Sequence, residues 1–152
     1  MSSCTMDFAK DQSAGYLVNH VARLFEQGLK RRIRPLGLSP GTFPALLELW
    51  EHDGLTQKEL VIRLDIEQPT MANTLARMER DGLVIRKKDD SDGRVQRIWL
   101  TDRARELQRP AVAAAMAENA DAMASLADHE RELFVALMRK IIKARSGSGS
   151  RR

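Results

Sequence analysis

The chain has 152 residues, 43% of them hydrophobic and 30% charged, with 25 Lys and Arg against 21 Asp and Glu. That composition describes a soluble globular protein, and the length suits one compact unit. No apolar run approaches the roughly 20 residues a membrane helix needs, and no charged-then-apolar leader opens the chain, so no membrane partner is expected and the expected location is cytoplasmic. The single cysteine, Cys4, permits no internal disulfide.

Residues 1–14 read as a flexible N-terminus, with Cys4 ahead of the first helical pattern. A helix is expected from about Gly15 to Ile33. Leu17, Val21, Leu24 and Gly28 form one stripe, with Val18, Phe25 and Leu29 beside it, which makes a broad apolar face. Pro35 should end it. A second helix is expected to start at Ser39 as N-cap with Pro40 in the first position, and to stop at Asp53-Gly54. Its core-facing residues would be Phe43, Leu46, Leu47 and Trp50.

From Thr56 the pattern changes to two short helices in tandem. Thr56 followed three residues later by Glu59 is a capping box, and Leu60 and Leu64 supply an apolar stripe. Pro69 suits the first turn of the next helix, which runs to Asp81 with Gly82 as a left-handed terminator. On that helix Met71, Leu75 and Met78 share one face and must be buried. The opposite surface carries Pro69, Asn73, Ala76, Arg77 and Arg80, with Gln68 and Thr70 near the exposed N-terminal turn. Asn pairs with adenine, Arg with guanine, and the Thr methyl touches thymine, so this tandem fits a helix-turn-helix that reads a DNA major groove. An ordinary solvated helix face would show the same polarity. The hairpin that follows favours the DNA reading.

Strands are expected at Leu83–Lys87 and Val95–Leu100, joined by Lys88-Asp89-Asp90-Ser91-Asp92-Gly93-Arg94. The tip would present Arg94, an arginine suited to a narrow minor groove, with Asp90 or Asp92 bracing an arginine or the turn. A calcium loop is excluded because Lys88 holds the first ligand position and no glutamate closes the pattern. After Thr101, another N-cap, a helix carries Ala104, Leu107 and Ala111 into an alanine-rich run interrupted by Pro110. A last helix begins near Asp128 and exposes Phe134, Leu137, Met138, Ile141 and Ile142. Helices with more apolar surface than one core needs point to subunit pairing.

The net charge of +4 is weak support for a nucleic-acid partner. Basic and acidic residues nearly balance between Thr56 and Arg103, and much of the excess lies at Lys30, Arg31, Arg32, Arg34 and the C-terminus. Placement, not total charge, must carry DNA affinity. The last residues, SGSGSRR, read as a flexible tail or a cloning remnant. Enzyme chemistry is missing: His20, His52 and His129 are scattered, and there is no nucleophile elbow, phosphate loop or HExxH. No catalytic residue, metal or cofactor is expected. The competing readings are a winged-helix protein-interaction module without DNA binding, and a thiol-based redox sensor acting through Cys4.

From about Leu36 to Arg103 the sequence resembles the winged helix-turn-helix core of the MarR family of bacterial regulators. The likeness is SlyA-like in IEQPTMANTLARMERDGLV, and Asp92-Gly93-Arg94 followed by Trp99-Leu100-Thr101 is similar to the family's Asp-x-Arg…Leu-Thr signature. With the flanking helices it extends from about Gly15 to Arg145. One position departs, Asn73, where many members place a longer basic residue. The resemblance implies a mainly α fold with a small β-wing, divided into a dimerisation helix at 15–35, a DNA-binding region at 36–103, C-terminal dimerisation helices at 104–145 and a tail at 146–152. It implies a homodimeric transcription regulator, a repressor of a pseudo-palindromic operator in double-stranded DNA, contacting it through Gln68, Pro69, Thr70, Asn73, Arg77 and Arg94. It also implies release by a small aromatic or phenolic acid in a crevice bordered by Tyr16, His20, Phe43 and Trp50. Some members sense peroxides through an N-terminal cysteine, whose counterpart would be Cys4.

Overall fold

The computed structural model describes residues 7–147, so Cys4 and the end of the tail lie outside the described residues. Helix α1 (Ala14–Ile33) begins where the Ser13 hydroxyl accepts the Tyr16 amide at 3.4 Å. It ends with Lys30, Arg31 and Arg32 in the last turn, where their charge meets the negative pole of the helix. One 3-10 turn, Arg34–Leu36, takes up Pro35, and Gly37 reverses the chain at φ 75°. The next helix starts later than Ser39. Residues 39–42 form a turn instead, in which the Thr42 amide donates to the Ser39 carbonyl at 3.3 Å and the Thr42 hydroxyl to the same oxygen at 3.2 Å. Pro40 and Gly41 hold the two central positions that such a turn favours. Helix α2 (Phe43–Glu51) follows, with Pro44 rather than Pro40 in its first turn.

A two-residue strand, β1 (Leu55–Thr56), leads directly into α3 (Gln57–Leu64). Thr56 serves both elements. Its hydroxyl accepts the Glu59 amide at 3.1 Å and donates to the Glu59 carboxylate at 3.1 Å, so the glutamate of the capping box meets the hydroxyl. Asp65 makes the tight turn at φ 53°, a left-handed backbone that Asp tolerates better than most side chains. Helix α4 (Gln68–Arg80) then ends in a Schellman arrangement: Gly82 N donates to the Glu79 carbonyl at 3.1 Å and Leu83 N to the Met78 carbonyl at 2.9 Å, with Gly82 at φ 72°.

Strands β2 (Val84–Lys88) and β3 (Gln96–Leu100) form the wing, each one residue later at its start than the sequence pattern suggests. The sheet has three strands, in the order β1-β3-β2, all antiparallel, with Leu55 opposite Ile98 and Val84 opposite Leu100. A strand of two residues carries no periodicity, which is why β1 was not among the expected elements. Along β3 the faces alternate: Ile98 and Leu100 are buried, while Arg97 and Trp99 lie half-exposed on the other side.

The core is continuous through the winged region, from Leu38, Phe43, Leu46 and Leu49 through Leu60, Met71, Leu75 and Met78 to Val84 and Ile98. Leu47, expected in it, is exposed and lines a cavity instead. Helix α5 (Asp102–Ala122) is capped by the Thr101 hydroxyl and buries Ala104, Ala111 and Glu118, one residue every two turns, with Pro110 inside it. Helix α6 (Asp128–Ser146) buries no residue, and Leu133, Leu137, Ile141 and Ile142 stand exposed on it.

Gly54 makes the tightest approach in the winged region. It has φ 78°, and a methyl group there would lie 2.6 Å from the Trp99 ring. Gly54→Ala is expected to lower stability by about 1–3 kcal/mol from the left-handed backbone alone, more if Trp99 is displaced. A urea titration followed by tryptophan fluorescence measures this; an unchanged midpoint would mean that the ring and backbone relax freely.

Candidate nucleic-acid interface

Helix α4 divides cleanly. Met71, Leu75 and Met78 are fully buried, whereas Gln68, Pro69, Thr70, Asn73, Ala76, Arg77, Glu79 and Arg80 are exposed. At about 100° per residue, Pro69, Asn73, Ala76 and Arg80 point most directly away from the core and Arg77 lies on the flank. The Arg77 guanidinium lies beside the Ser39–Thr42 turn: a side-chain carbon on Gly41 would sit 3.4 Å from its Nη1. Arg80 stands 3.7 Å from Asp81. At the N-terminal turn the Gln68 side-chain oxygen accepts from Gln57 Nε2 at 3.2 Å, and Thr74 donates back to the Thr70 carbonyl at 2.9 Å. The helix therefore offers amides, hydroxyls and two guanidinium groups on one solvent-facing side, the mixture that recognises base edges and phosphates.

The wing tip is held by carboxylates. Asp89 N donates to the Val95 carbonyl at 2.8 Å and closes the hairpin. One carboxylate oxygen of Asp89 accepts the Ser91 amide and hydroxyl and the Asp92 amide; the other accepts Arg97 Nε at 2.6 Å. Asp92 in turn accepts both the amide and Nε of Arg94, at 3.1 and 3.2 Å. Of the two carboxylates suggested as braces, Asp92 is the one on Arg94, and Asp89 carries the turn. Arg94 still projects, its side chain 92% exposed. Arg97 also donates through Nη1 to the Gly54 carbonyl at 3.0 Å and lies 3.9 Å from Glu59. The strands add Arg86, Lys87 and Lys88, with Arg86 Nε 3.7 Å from Glu79.

Of the four residues expected to border a ligand crevice, Phe43 and Trp50 come together, and Tyr16 and His20 stand apart from them. Phe43 and Trp50 meet edge to face, with centroids 6.0 Å apart, and Trp50 Nε1 donates to the Ala104 carbonyl at 3.0 Å. Tyr16 is 43% exposed and His20 is exposed on the N-terminal half of α1. A cavity of about 510 Å³ opens between α1, α2 and α5, lined by Phe25, Glu26, Leu29, Phe43, Leu47, Glu118 and their neighbours. Of the four expected residues only Phe43 reaches it, because Tyr16 lies more than two turns before Phe25. Sequence reasoning missed Glu118. Its signal was a carboxylate seven residues from Ala111 and fourteen from Ala104 on the buried stripe. Arg32 pairs with it at 3.0 Å and also binds Asp121, and Gly28 leaves room for the carboxylate.

Asp89 is held near pH 2 instead of the usual 3.8, first by the Arg97 hydrogen bond and then by the Ser91 hydroxyl. Because the folded value is depressed, its contribution to the wing is complete above pH 3.8 and is lost as the pH falls toward 2. The Ser91 and Asp92 amide resonances are expected to titrate with a midpoint near 2. A midpoint at the ordinary carboxylate value would show that the Arg97 contact is not kept in solution.

Comparison with known proteins agrees with this architecture. The model of the MarR family matches residues 38–95. The HTH-type transcriptional repressor Rv2887 of Mycobacterium tuberculosis is 29% identical over 136 residues, covering 90% of this chain and 98% of that protein. The crystal structure of Rv2887 in complex with DNA superposes with a TM-score of 0.66 at 26% identity, over 86% of this chain and 98% of that one. A probable transcriptional regulator from Pseudomonas aeruginosa superposes with a TM-score of 0.82 at 25% identity, over 88% and 99%.

Proposed function

We propose that the chain is a DNA-binding transcriptional regulator of the MarR kind, whose family model matches residues 38–95 and whose relative Rv2887 is named a transcriptional repressor, and that it is a homodimeric repressor of a pseudo-palindromic operator. Residues 36–103 read the DNA, and residues 15–35 and 104–145 pair the subunits. The observation that carries the DNA-binding part is the one-sided burial of α4. Its Met71-Leu75-Met78 face is sealed in the core while Gln68, Pro69, Thr70 and Asn73 are exposed, with Arg77 on the flank. The exposed, braced Arg94 supplies the second contact, from the wing to phosphate or minor groove.

Pairing is supported by what one chain leaves uncovered. Leu17, Val18 and Leu24 on α1 and Leu133, Leu137, Ile141 and Ile142 on α6 are exposed, and patches of this kind mark interfaces. Two recognition helices related by a two-fold axis read half-sites about 10 bp apart. Sedimentation at micromolar concentration is expected to give one species of twice the chain mass; a monomer would remove the palindrome. Asn73→Ala, tested on a selected operator and its single-base variants, is expected to lose about 1–3 kcal/mol on the preferred site and relax one base position. Equal loss on every variant would make Asn73 a backbone contact.

The proposed effector occupies the cavity between α1, α2 and α5. Aromatic and aliphatic walls from Phe25, Leu29, Phe43 and Leu47 suit a small ring. Glu26 and Glu118 also line it, and Arg32 is already engaged by Glu118 and Asp121. Those carboxylates disfavour an aromatic carboxylate and favour a neutral phenol, whose hydroxyl donates to an acidic oxygen. A neutral phenol is expected to weaken operator binding by about 1–3 kcal/mol, with operator weakening the phenol by the same factor. Operator titrations with phenols and with salicylate-like acids decide this. Release by the acids alone would point to a different site, near Tyr16 and His20.

A further inference from the structure

We propose that Arg97 is a positioning residue for DNA binding: it sets the wing tip, and through it Arg94, against the first helix of the helix-turn-helix without touching DNA itself. At the tip, Arg94 is anchored only by Asp92 among the described contacts. The Asp92 amide is in turn held by Asp89, and the other oxygen of Asp89 is held by Arg97. The path thus runs from the Arg97 guanidinium to the Asp89 carboxylate at 2.6 Å, from there to the Asp92 backbone amide at 3.1 Å, and from the Asp92 carboxylate to the Arg94 guanidinium at 3.2 Å.

The far end of the path is fixed in the core. Arg97 Nη1 binds the carbonyl of Gly54, whose amide donates to Ile98, a fully buried residue of β3. The same guanidinium faces Glu59, which is bonded to the Thr56 cap at the start of α3. Asp53, beside Gly54, accepts the Leu100 amide at 2.9 Å and Arg105 at 3.2 Å, so the anchoring loop is itself tied to β3 and α5. A planar guanidinium with several donors is what allows one side chain to hold a carboxylate and a carbonyl together; a lysine is a single point charge. Arg97 is half-buried, and Asp89 more so, which suits a brace better than a phosphate contact.

The inference rests on the reading that Arg94 contacts DNA, and a double-mutant cycle separates the two. Arg94→Ala alone tests that reading: affinity should fall and the salt slope should become shallower by about one unit. Arg97→Met should lower affinity severalfold in the otherwise natural chain and have little further effect in the Arg94→Ala background. Asp89→Asn decides between brace and contact. If Arg97 braces, removing the Asp89 charge lowers affinity as Arg97→Met does. If Arg97 meets phosphate, removing a nearby negative charge raises affinity instead. Additive losses from Arg94 and Arg97, or tighter binding by Asp89→Asn, would overturn the proposal while leaving the DNA-binding reading intact. Unchanged affinity and slope for Arg94→Ala would overturn both. Circular dichroism of each variant establishes that the fold survives. Should Arg97→Met not fold, the cycle of Asp89→Asn with Arg94→Ala answers the same question through the other end of the contact.

Discussion

Strand β3 is hydrogen-bonded on both edges, to β1 and to β2, and the rest of the winged region hangs on that middle position. Its alternation drives Ile98 and Leu100 into the core and leaves Arg97 and Trp99 on the opposite face. A slip of one residue would exchange those faces and expel both apolar side chains, so the register is strongly specified. Once it is set, the other consequences follow. Trp99 lies against Gly54, which must then have no side chain; Arg97 reaches the Gly54 carbonyl; and the chain leaves β3 at Leu100 directly into the Thr101 cap of α5.

Elements whose physics is local were legible in the sequence. The Thr56 and Thr101 caps, the Met71-Leu75-Met78 face and the Gly82 terminator each depend on residues within about one or two turns, and each is where the spacing puts it. Features that depend on competition or distant contact were not. Ser39-Pro40 reads equally well as a helix start or as a turn, and the following Gly41-Thr42-Phe43-Pro44 decides for the turn by offering a second proline to the helix. Strand β1 exists only because β3 pairs with it. Asp65 takes a left-handed turn that no local pattern announced. The wing's Asp89–Arg97 contact spans eight residues across a hairpin and is invisible until the register is known.

The candidate ligand cavity shows the same limit more sharply. Tyr16, His20, Phe43 and Trp50 are the residues a family likeness brings forward, yet only Phe43 lines the space between α1, α2 and α5. What shapes that space is a carboxylate in an alanine-rich helix. Glu118 is accepted there because Gly28 lacks a side chain and Arg32 supplies a counter-charge, so two neighbouring residues of α1 act together with one that follows Arg32 by 86 positions. A partly buried pair of this kind is a poor source of stability and a good source of selectivity, since an uncompensated charge in the same place is costly. It ties α1 to α5 at the point where the proposed effector would bear on both.

Helix α6 favours assembly. A helix in a folded protein draws most of its stability from packing an apolar face, and this one of 19 residues buries none although Leu133, Leu137, Ile141 and Ile142 repeat at helical spacing along it. Its capping by Glu130 on the Ala127 amide fixes where it starts but contributes little to holding it. In the proposed dimer the order of α6 and of the N-terminal half of α1 comes from the second subunit. Subunit pairing and the spacing of the two α4 helices then become linked equilibria. A ligand between α1 and α5 need not touch α4 or the wing to alter operator affinity; it need only favour one arrangement of the paired helices over the other.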